Sequence, residues 1–363
     1  MNNKTILFFA KYFYPPLGGG EYFLLKILKH LKEQGYNVAA ACYCDPSNEK
    51  YFDQNGYLEW QGIPVFQLAI RHRNDFNKFL EKSRPDLVVT QSFDAPEIVE
   101  AAKSVVSKTI TGVHFWRNIC AVQDNFVNML NRPLESVELL EDKHRVFFES
   151  DEVFVNSEFM KDALKRFTGF ECNNTIHPII DLDRITVKER NPKYVTLINP
   201  DYGKGGELLV ELAYRLQGVE FMCVGLGNTF FPRNKVINEK IASLKNIKLV
   251  KKTDDMLDVY SQTKILLVPS LVDETFSMVV LEGMFNGIPI LASNVGNIPY
   301  LLEDGGFLLP PNDVIAWESA IDGFFNDEDL YNDMSKRGKE VAKRYLPENE
   351  LEKFMKLVKG LIG

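Results

Sequence analysis

Short, wholly apolar runs alternate along the chain with stretches in which apolar residues recur every third or fourth position. The runs read as buried strands and the stretches as helices laid over them, the signature of a parallel sheet wound with helices. In the first half the strands are expected at Thr5–Ala10, Asn37–Cys44, Val65–Leu68, Asp86–Gln91, Lys108–His114, Glu152–Asn156 and Thr175–Ile179. Between them, Phe23, Leu24, Ile27 and Leu31 share one face of a helix over Glu21–Glu33, and Ser157 is placed to cap a helix holding Phe159 and Leu164. Leu130–Phe148 is highly charged and reads as helical. Asp181–Pro192 has no periodic apolar face and reads as a linker. The alternation then restarts, with strands at Tyr194–Ile198, Glu220–Val224, Ile247–Val250, Ile265–Val268 and Ile288–Leu291. Helices follow from Lys204, near Lys235–Leu244 and over Met256–Thr263, and Glu328–Leu361 closes the chain as two or three helices interrupted at Pro347. The expectation is an α/β chain of two domains, residues 1–185 and 186–346.

A length of 363 residues suits two cores rather than one. A net charge of −8 argues against nonspecific nucleic-acid binding and disfavours attachment to anionic lipid, while a local basic face leaves a peripheral membrane contact open. The apolar run Ile6–Ala10 is broken by Lys11, too short for a signal-peptide core or a bilayer span. A cytoplasmic protein is expected, with a peripheral place at the inner membrane face left open. The five cysteines, Cys42, Cys44, Cys120, Cys172 and Cys223, are odd in number and match no zinc template, so they read as reduced and buried.

The chemistry concentrates in Pro269–Ser293, PSLVDETFSMVVLEGMFNGIPILAS. A helix starting near Ser277 would direct the free N–H groups of Ser277, Met278 and Val279 toward Glu274, forming a diphosphate cradle. Glu282 follows one to two turns later, at ~1.5 Å per residue, and would reach a group beyond the phosphates. Carboxylate, helix end and second carboxylate suit a sugar, a diphosphate and a ribose. In open parallel sheets ligands bind beyond the carboxyl ends of the strands, which singles out two further loops. In Tyr12–Glu21, Gly18, Gly19 and Gly20 allow a phosphate contact or a flexible turn, and Tyr12, Phe13 and Tyr14 line an acceptor pocket or pack against the loop. In Asn199–Gly206, Lys204 can set an ammonium against a diphosphate. Gly225-Leu226-Gly227 reads as a tight turn beside the nucleotide. His114, ending a strand, is either a hydrogen-bonding group for a sugar hydroxyl or structural. His30, His72 and His144 read as surface residues and His177 as mid-strand.

Together these segments resemble the retaining glycosyltransferases of family 4 (glycosyl transferases group 1). The likeness spans nearly the whole chain: Gly18-Gly19-Gly20-Glu21 as the glycine-rich loop, Lys204-Gly205 as the basic loop, Glu274 to Glu282 as the paired-glutamate motif, then Gly287-Ile288-Pro289. The resemblance implies the GT-B architecture, two Rossmann-like domains whose parallel sheets face a deep interdomain cleft. It also implies a closing helix, about 347–363, that packs back on the first domain. By the same resemblance Glu282 binds the ribose, Glu274 the hydroxyls of the donor sugar, and the backbone of Phe276, Ser277, Met278 and Val279, with Gly19 and Lys204, the diphosphate. Thr253 and Met256 border the base. Gly18, Gly20, Asn199 and Thr275 complete the donor set, and His114 joins Lys204 and Glu274 at the reacting centre. No metal ion or other cofactor is implied.

Three positions depart from the pattern. Asn199-Pro200 stands where the family usually has an arginine, removing a bidentate phosphate donor. Ser277 replaces a frequent glycine and Tyr300 a frequent glutamate. The expected activity is transfer of a hexose from a nucleotide-diphosphate sugar, a UDP-sugar such as UDP-glucose in preference to a GDP-sugar, to a carbohydrate or lipid-linked acceptor in glycan or polysaccharide synthesis. The rivals are a catalytically impaired nucleotide-sugar binder and a sugar-nucleotide epimerase of the same architecture.

Overall fold

The computed structural model describes residues 4–11, 13–16, 19–43, 48–68, 73–91, 95–121, 128–253 and 255–363, with no side-chain description for 73–75. Contacts divide the chain into two units.

The first unit takes Met1–Gln123, Arg132–Ile179 and Pro347–Gly363. Its strands are β1 (Thr5–Phe9), β2 (Asn37–Tyr43), β3 (Tyr57–Trp60), β4 (Ile63–Leu68), β5 (Leu87–Thr90), β6 (Lys108–Val113), β7 (Glu152–Val155) and β8 (Asn174–Thr175). They form one sheet in the order β3-β4-β2-β1-β5-β6-β7-β8, parallel except for the β3–β4 hairpin. Both faces of β1 are covered, which is why it reads as an unbroken apolar run. Ile6 and Phe8 enter one core with Leu24, Leu28 and Phe354, and Leu7 and Phe9 enter another with Phe76, Leu80 and Ile98.

Several expectations fail locally. The β3–β4 hairpin was not anticipated; it turns at Gln61-Gly62, with φ of 50° and 82°, the left-handed pair that matches strand twist. Leu130–Phe148 is not one helix: 3-10 turns at Met129–Asn131 and Leu134–Ser136 precede a helix only at Glu141–Glu149. Pro133 has no N–H to donate and disfavours helical backbone before it, so no helix runs through it. Beyond it residues 138–140 bond to residues 119–121 in an antiparallel bridge, and the helix starts only after that. His144, on that helix, is buried with Nε2 2.6 Å from the Ile119 carbonyl, not a surface residue. Of the expected Thr175–Ile179 strand only Thr175 pairs in the sheet, together with Asn174 before it, and His177 lies beyond β8. Cys42, Cys120, Cys172 and Cys223 are buried; burial raises the thiol pKa of Cys120 to about 11 and of Cys223 to about 12. Cys44 and His72 lie outside the described residues.

The second unit takes Asp124–Asn131 and Ile180–Leu346. Its strands are β9 (Tyr194–Ile198), β10 (Phe221–Val224), β11 (Ile247–Val250), β12 (Thr263–Val268), β13 (Ile290–Ser293) and β14 (Phe307–Leu309), all parallel, in the order β11-β10-β9-β12-β13-β14. This is the doubly wound arrangement in which chain order reverses between the first and fourth strands, here β9 and β12. Val195, Leu197, Ile265 and Leu267 face a core with Trp317 and Phe324, while Leu266 and Ile290 face one with Val280, Leu281 and Met284. β13 starts at Ile290 rather than Ile288, because the Ile288 N–H bonds to the Gly283 carbonyl and Pro289 has none to give. The stretch from Asp181 is packed against this unit: Leu182–Ile185 forms a short helix with Ile185 buried, and the Arg190 guanidinium donates to the carbonyls of Gly287 (2.8 Å) and Thr263 (2.5 Å).

Candidate donor site at the switch point of the second sheet

β12 ends at Val268 and the chain loops to a helix over Met278–Phe285. Ser277 ends the loop at φ 81°, a left-handed conformation that costs a non-glycine residue about 1–2 kcal/mol. The loop is held from the turn after β13: Asn297 Nδ2 donates to the Phe276 carbonyl (3.2 Å), Asn297 N to the Glu274 carbonyl (2.8 Å), and Gly296 N to Asp273 Oδ1 (3.1 Å). Met129 N donates to the other Asp273 oxygen at 2.7 Å. A Cβ on Gly296 would sit 2.4 Å from the Glu274 nitrogen, so the two turns pack backbone to backbone.

The loop after β9 approaches equally closely. Asn199 has φ 59° and is followed by a 3-10 turn, Tyr202–Lys204. Gly205 takes φ 81°, and a side chain there would lie 2.3 Å from the Pro269 carbonyl oxygen. Leu271 N donates to the Gly203 carbonyl at 2.9 Å, lacing the two loops together. Lys204 Nζ thereby reaches Glu274 Oε1, which also accepts the Ser270 hydroxyl at 2.6 Å. The Glu274 side chain is 13% exposed and that of Lys204 36%, so the ammonium is the more open member of the pair. Asn199, Lys204, Ser270, Glu274, Ser277, Met278 and Val279 line one cavity of about 250 Å³, floored by Leu197, Ile198, Leu267 and Val268 from the two strand ends. An ammonium, a carboxylate and the first N–H groups of a helix, which have no intrahelical acceptor, converge at the switch point. That combination can bind an anion beside a hydroxyl-bearing group.

Other expected donor residues do not line this cavity. Glu282 lies one turn or more along the helix, where its carboxylate accepts the Tyr260 hydroxyl. Burial raises the Glu282 pKa, opposed by the Tyr260 bond and the charge of Arg184; burial, then the Glu282 charge, push Tyr260 well above 10. Thr253 Oγ1 accepts the Asp255 N–H at 3.0 Å, and Met256 begins a helix and packs against the core. Thr275 belongs to the Glu274 loop, and the Phe276 ring turns into the core, its centroid 6.2 Å from that of Tyr345.

In the first unit Tyr12 and Gly18 lie outside the described residues. Gly19 and Gly20 open the helix Gly19–Glu33, and a Cβ on Gly20 would meet nothing within 4 Å. Phe13 and Tyr14 pack on Trp60, with centroids 5.1 and 5.5 Å away. His114 follows β6 and is buried between the rings of Phe23 and Phe154, with Asn156 Nδ2 donating to its carbonyl at 3.2 Å. Its Nε2 is buried without a hydrogen-bond partner among the described residues. Burial lowers its pKa to about 4, so the ring is neutral at physiological pH.

Comparison with known proteins gives this geometry a context. The model described as Glycosyltransferase Family 4 matches residues 17–184, and that described as Glycosyl transferases group 1 matches residues 182–341. The chain belongs to this glycosyltransferase family. D-inositol 3-phosphate glycosyltransferase of Mycobacterium sp. (strain KMS) is 26% identical over 212 residues, covering 51% of this chain and 47% of the relative. The chain thus spans about half the length of the curated relatives it matches. Sucrose-phosphate synthase of Thermosynechococcus elongatus superposes with a TM-score of 0.77 at 17% identity, covering 99% of each chain. HepE of Anabaena, solved with UDP-glucose, gives 0.75 at 17% identity over 98% of this chain and 99% of that one. The fold of this family member is therefore GT-B.

Four residues at the site escaped the sequence reading: Ser270, Asp273, Asn297 and Tyr260. Ser270 and Asp273 sit in the singled-out segment but carry no spacing signal. Gly296-Asn297 after an apolar run is a turn signal that could have marked the clamp. Tyr260 reads only as one apolar position of a helix. Among the described residues no group of three or more His, Cys, Asp or Glu could hold a metal ion, and no helix is long and apolar enough to cross a membrane.

Proposed function

We propose that this family member is a retaining, metal-independent glycosyltransferase that moves a hexose from a UDP-sugar, of the UDP-glucose type, to a carbohydrate or lipid-linked acceptor in glycan or polysaccharide synthesis. The observation that carries the reading is the meeting of Lys204 and Glu274 beside the N-terminus of the helix Met278–Phe285. Breaking the bond between the sugar carbon and the diphosphate leaves negative charge on the phosphate oxygen. A preformed ammonium and helix N–H groups stabilise that charge as it develops, at no cost in reorganisation. This supports transfer without a divalent ion, with Lys204 standing in for both the ion and the arginine replaced by Asn199-Pro200. Glu274 holds the ammonium in place and offers a carboxylate to the sugar hydroxyls, and Glu282 offers one to the ribose. The neutral imidazole of His114 is suited to hydrogen-bond the sugar without adding charge. HepE, solved with UDP-glucose, supports uridine as the base, and the D-inositol 3-phosphate glycosyltransferase supports a polyhydroxylated acceptor.

Calorimetric titration with UDP-glucose and GDP-mannose, together with nucleotide release in the presence of EDTA, tests the reading. UDP-glucose should bind, and turnover with an acceptor should survive chelation and yield a product with the donor's anomeric configuration. Glu274→Ala should lower turnover about a hundredfold or more while the melting temperature stays near that of the wild type. Failure to bind any nucleotide sugar sinks the proposal, as does a chelator-sensitive rate. Tight binding without turnover, on any acceptor, would make the chain a binder rather than a transferase.

A further inference from the structure

The helix Pro232–Ser243 follows β10 and carries two asparagines one turn apart, Asn234 and Asn238, both buried. A buried side-chain amide is costly unless its hydrogen-bonding groups are used, and leucine would serve the core better at either position. Asn234 is 3% exposed and its amide is fully engaged. Its Oδ1 accepts the Tyr202 N–H at 2.7 Å, and its Nδ2 donates to Asp201 Oδ1 and to the Asn228 carbonyl (3.1 Å). Asp201 Oδ1 also accepts the Asn228 N–H at 2.8 Å, and the Asp201 carbonyl accepts the Lys204 N–H at 2.8 Å. Asn238 closes the arrangement, exchanging two 2.9 Å bonds with the backbone of Gly227. A Cβ on Gly227 would come within 3.0 Å of Asn234. Three segments, the turn after β9, the loop after β10 and the helix, are thus pinned on one amide.

The turn so pinned is the one that ends in Lys204. From the other side Gly205 holds the same turn against the Pro269 carbonyl, so the backbone that launches the lysine is fixed at both ends. A long, flexible ammonium side chain depends on that anchoring. Displacement of a binding group by about 1 Å is enough to cost a hundredfold in a reaction.

We propose that Asn234 is a positioning residue for the donor diphosphate, acting through the Asp201–Lys204 turn; this rests on the role proposed above for Lys204. The proposal makes Asn234 matter only while Lys204 is present. Replacing it by alanine removes the partner of the Tyr202 N–H and of one Asp201 contact, and loosens the turn.

The test is a double-mutant cycle on the full chain, read as UDP-glucose affinity by calorimetry, with wild type, N234A, K204A and the double variant. N234A and K204A should each weaken binding about tenfold or more, and the double variant should be within about twofold of K204A. Multiplicative losses in the double variant overturn the proposal, and so does an N234A affinity equal to wild type. A wild type that binds no UDP-glucose, or a K204A that binds as wild type does, defeats the donor-site reading itself and is thereby told apart. N234D covers the case in which N234A does not fold. It keeps the shape but sets a second carboxylate against Asp201, so its loss of affinity should be larger at pH 8 than at pH 5. A loss independent of pH would count against the clamp.

Discussion

Glu350 lies in the helix Pro347–Ile362 and has no exposed surface. Its carboxylate accepts the His177 N–H at 2.8 Å, meets His177 Nδ1 at 3.0 Å and takes Lys353 Nζ at 2.8 Å. Phe354 packs beside it in the core of the first unit, its ring centroid 5.9 Å from that of Phe8 and 6.0 Å from that of Phe154. The Lys353 pair is half exposed and contributes about 0–1 kcal/mol, so the contacts to His177 carry most of the anchorage. Breaking a buried charged pair by removing one partner costs about 3–5 kcal/mol, and Glu350→Ala should loosen the helix by that order. Glu350→Gln keeps an acceptor for the His177 N–H and should cost about 1–2 kcal/mol. Because two units need not unfold together, hydrogen exchange of the helix amides is the appropriate assay. Protection should fall roughly a hundred- to several-thousandfold in Glu350→Ala, with the second sheet unaffected. The pH dependence has a defined sign. Burial raises the Glu350 pKa, but the bonds from His177 and Lys353 outweigh it, and the net shift is below the ordinary 4.5. A depressed carboxylate pKa gives stability that is fully present above the ordinary value and lost as the pH falls through the folded-state one. The gap between wild type and Glu350→Gln should therefore close below pH 4.5. Unchanged protection in Glu350→Ala, or a gap that widens in acid, would refute this reasoning.

Two further expectations concern the site residues. With its pKa lowered from 6.5 to about 4, His114 is neutral across the usual assay range, so His114→Phe should remove no activity limb near neutrality. The same variant should cut turnover while leaving stability within about 1 kcal/mol, since it also removes the unpaired Nε2; a limb at pH 6–7 that it abolishes would contradict the assignment. In wild type the imidazole's contribution to stability is full above pH 6.5 and declines toward pH 4, because protonation favours the unfolded chain. Ser277→Gly relieves a left-handed serine at φ 81°. Relief of about 1–2 kcal/mol set against a more flexible unfolded chain, about 0.4–1 kcal/mol, leaves a net gain of about 0.5–1 kcal/mol. Denaturant melts showing no gain would mean the serine makes a contact worth as much as the strain.

Local pattern determined much of this protein. β9 falls where its apolar run places it, at Tyr194–Ile198, because a strand covered on both faces leaves an unmistakable continuous run. β11 also lies where expected, at Ile247–Val250, although it is an edge strand with Lys248 and Leu249 exposed. The α/β class and the glycosyltransferase family were legible for related reasons: strand–helix alternation is local, and the Glu274-to-Glu282 segment is contiguous. Where the pattern misled, short elements and buried polar residues were responsible. β3 and β14 are brief and half exposed, and His144 is polar yet buried because one carbonyl accepts from it. What the sequence could not contain was the pairing of distant groups. Lys204 meets Glu274, His177 meets Glu350 and Asn234 meets Asp201 only because sheet order and register bring those loops and helices together. Side-chain periodicity records which face of an element is covered. It does not record what covers it, and that is decided by the packing of the whole chain.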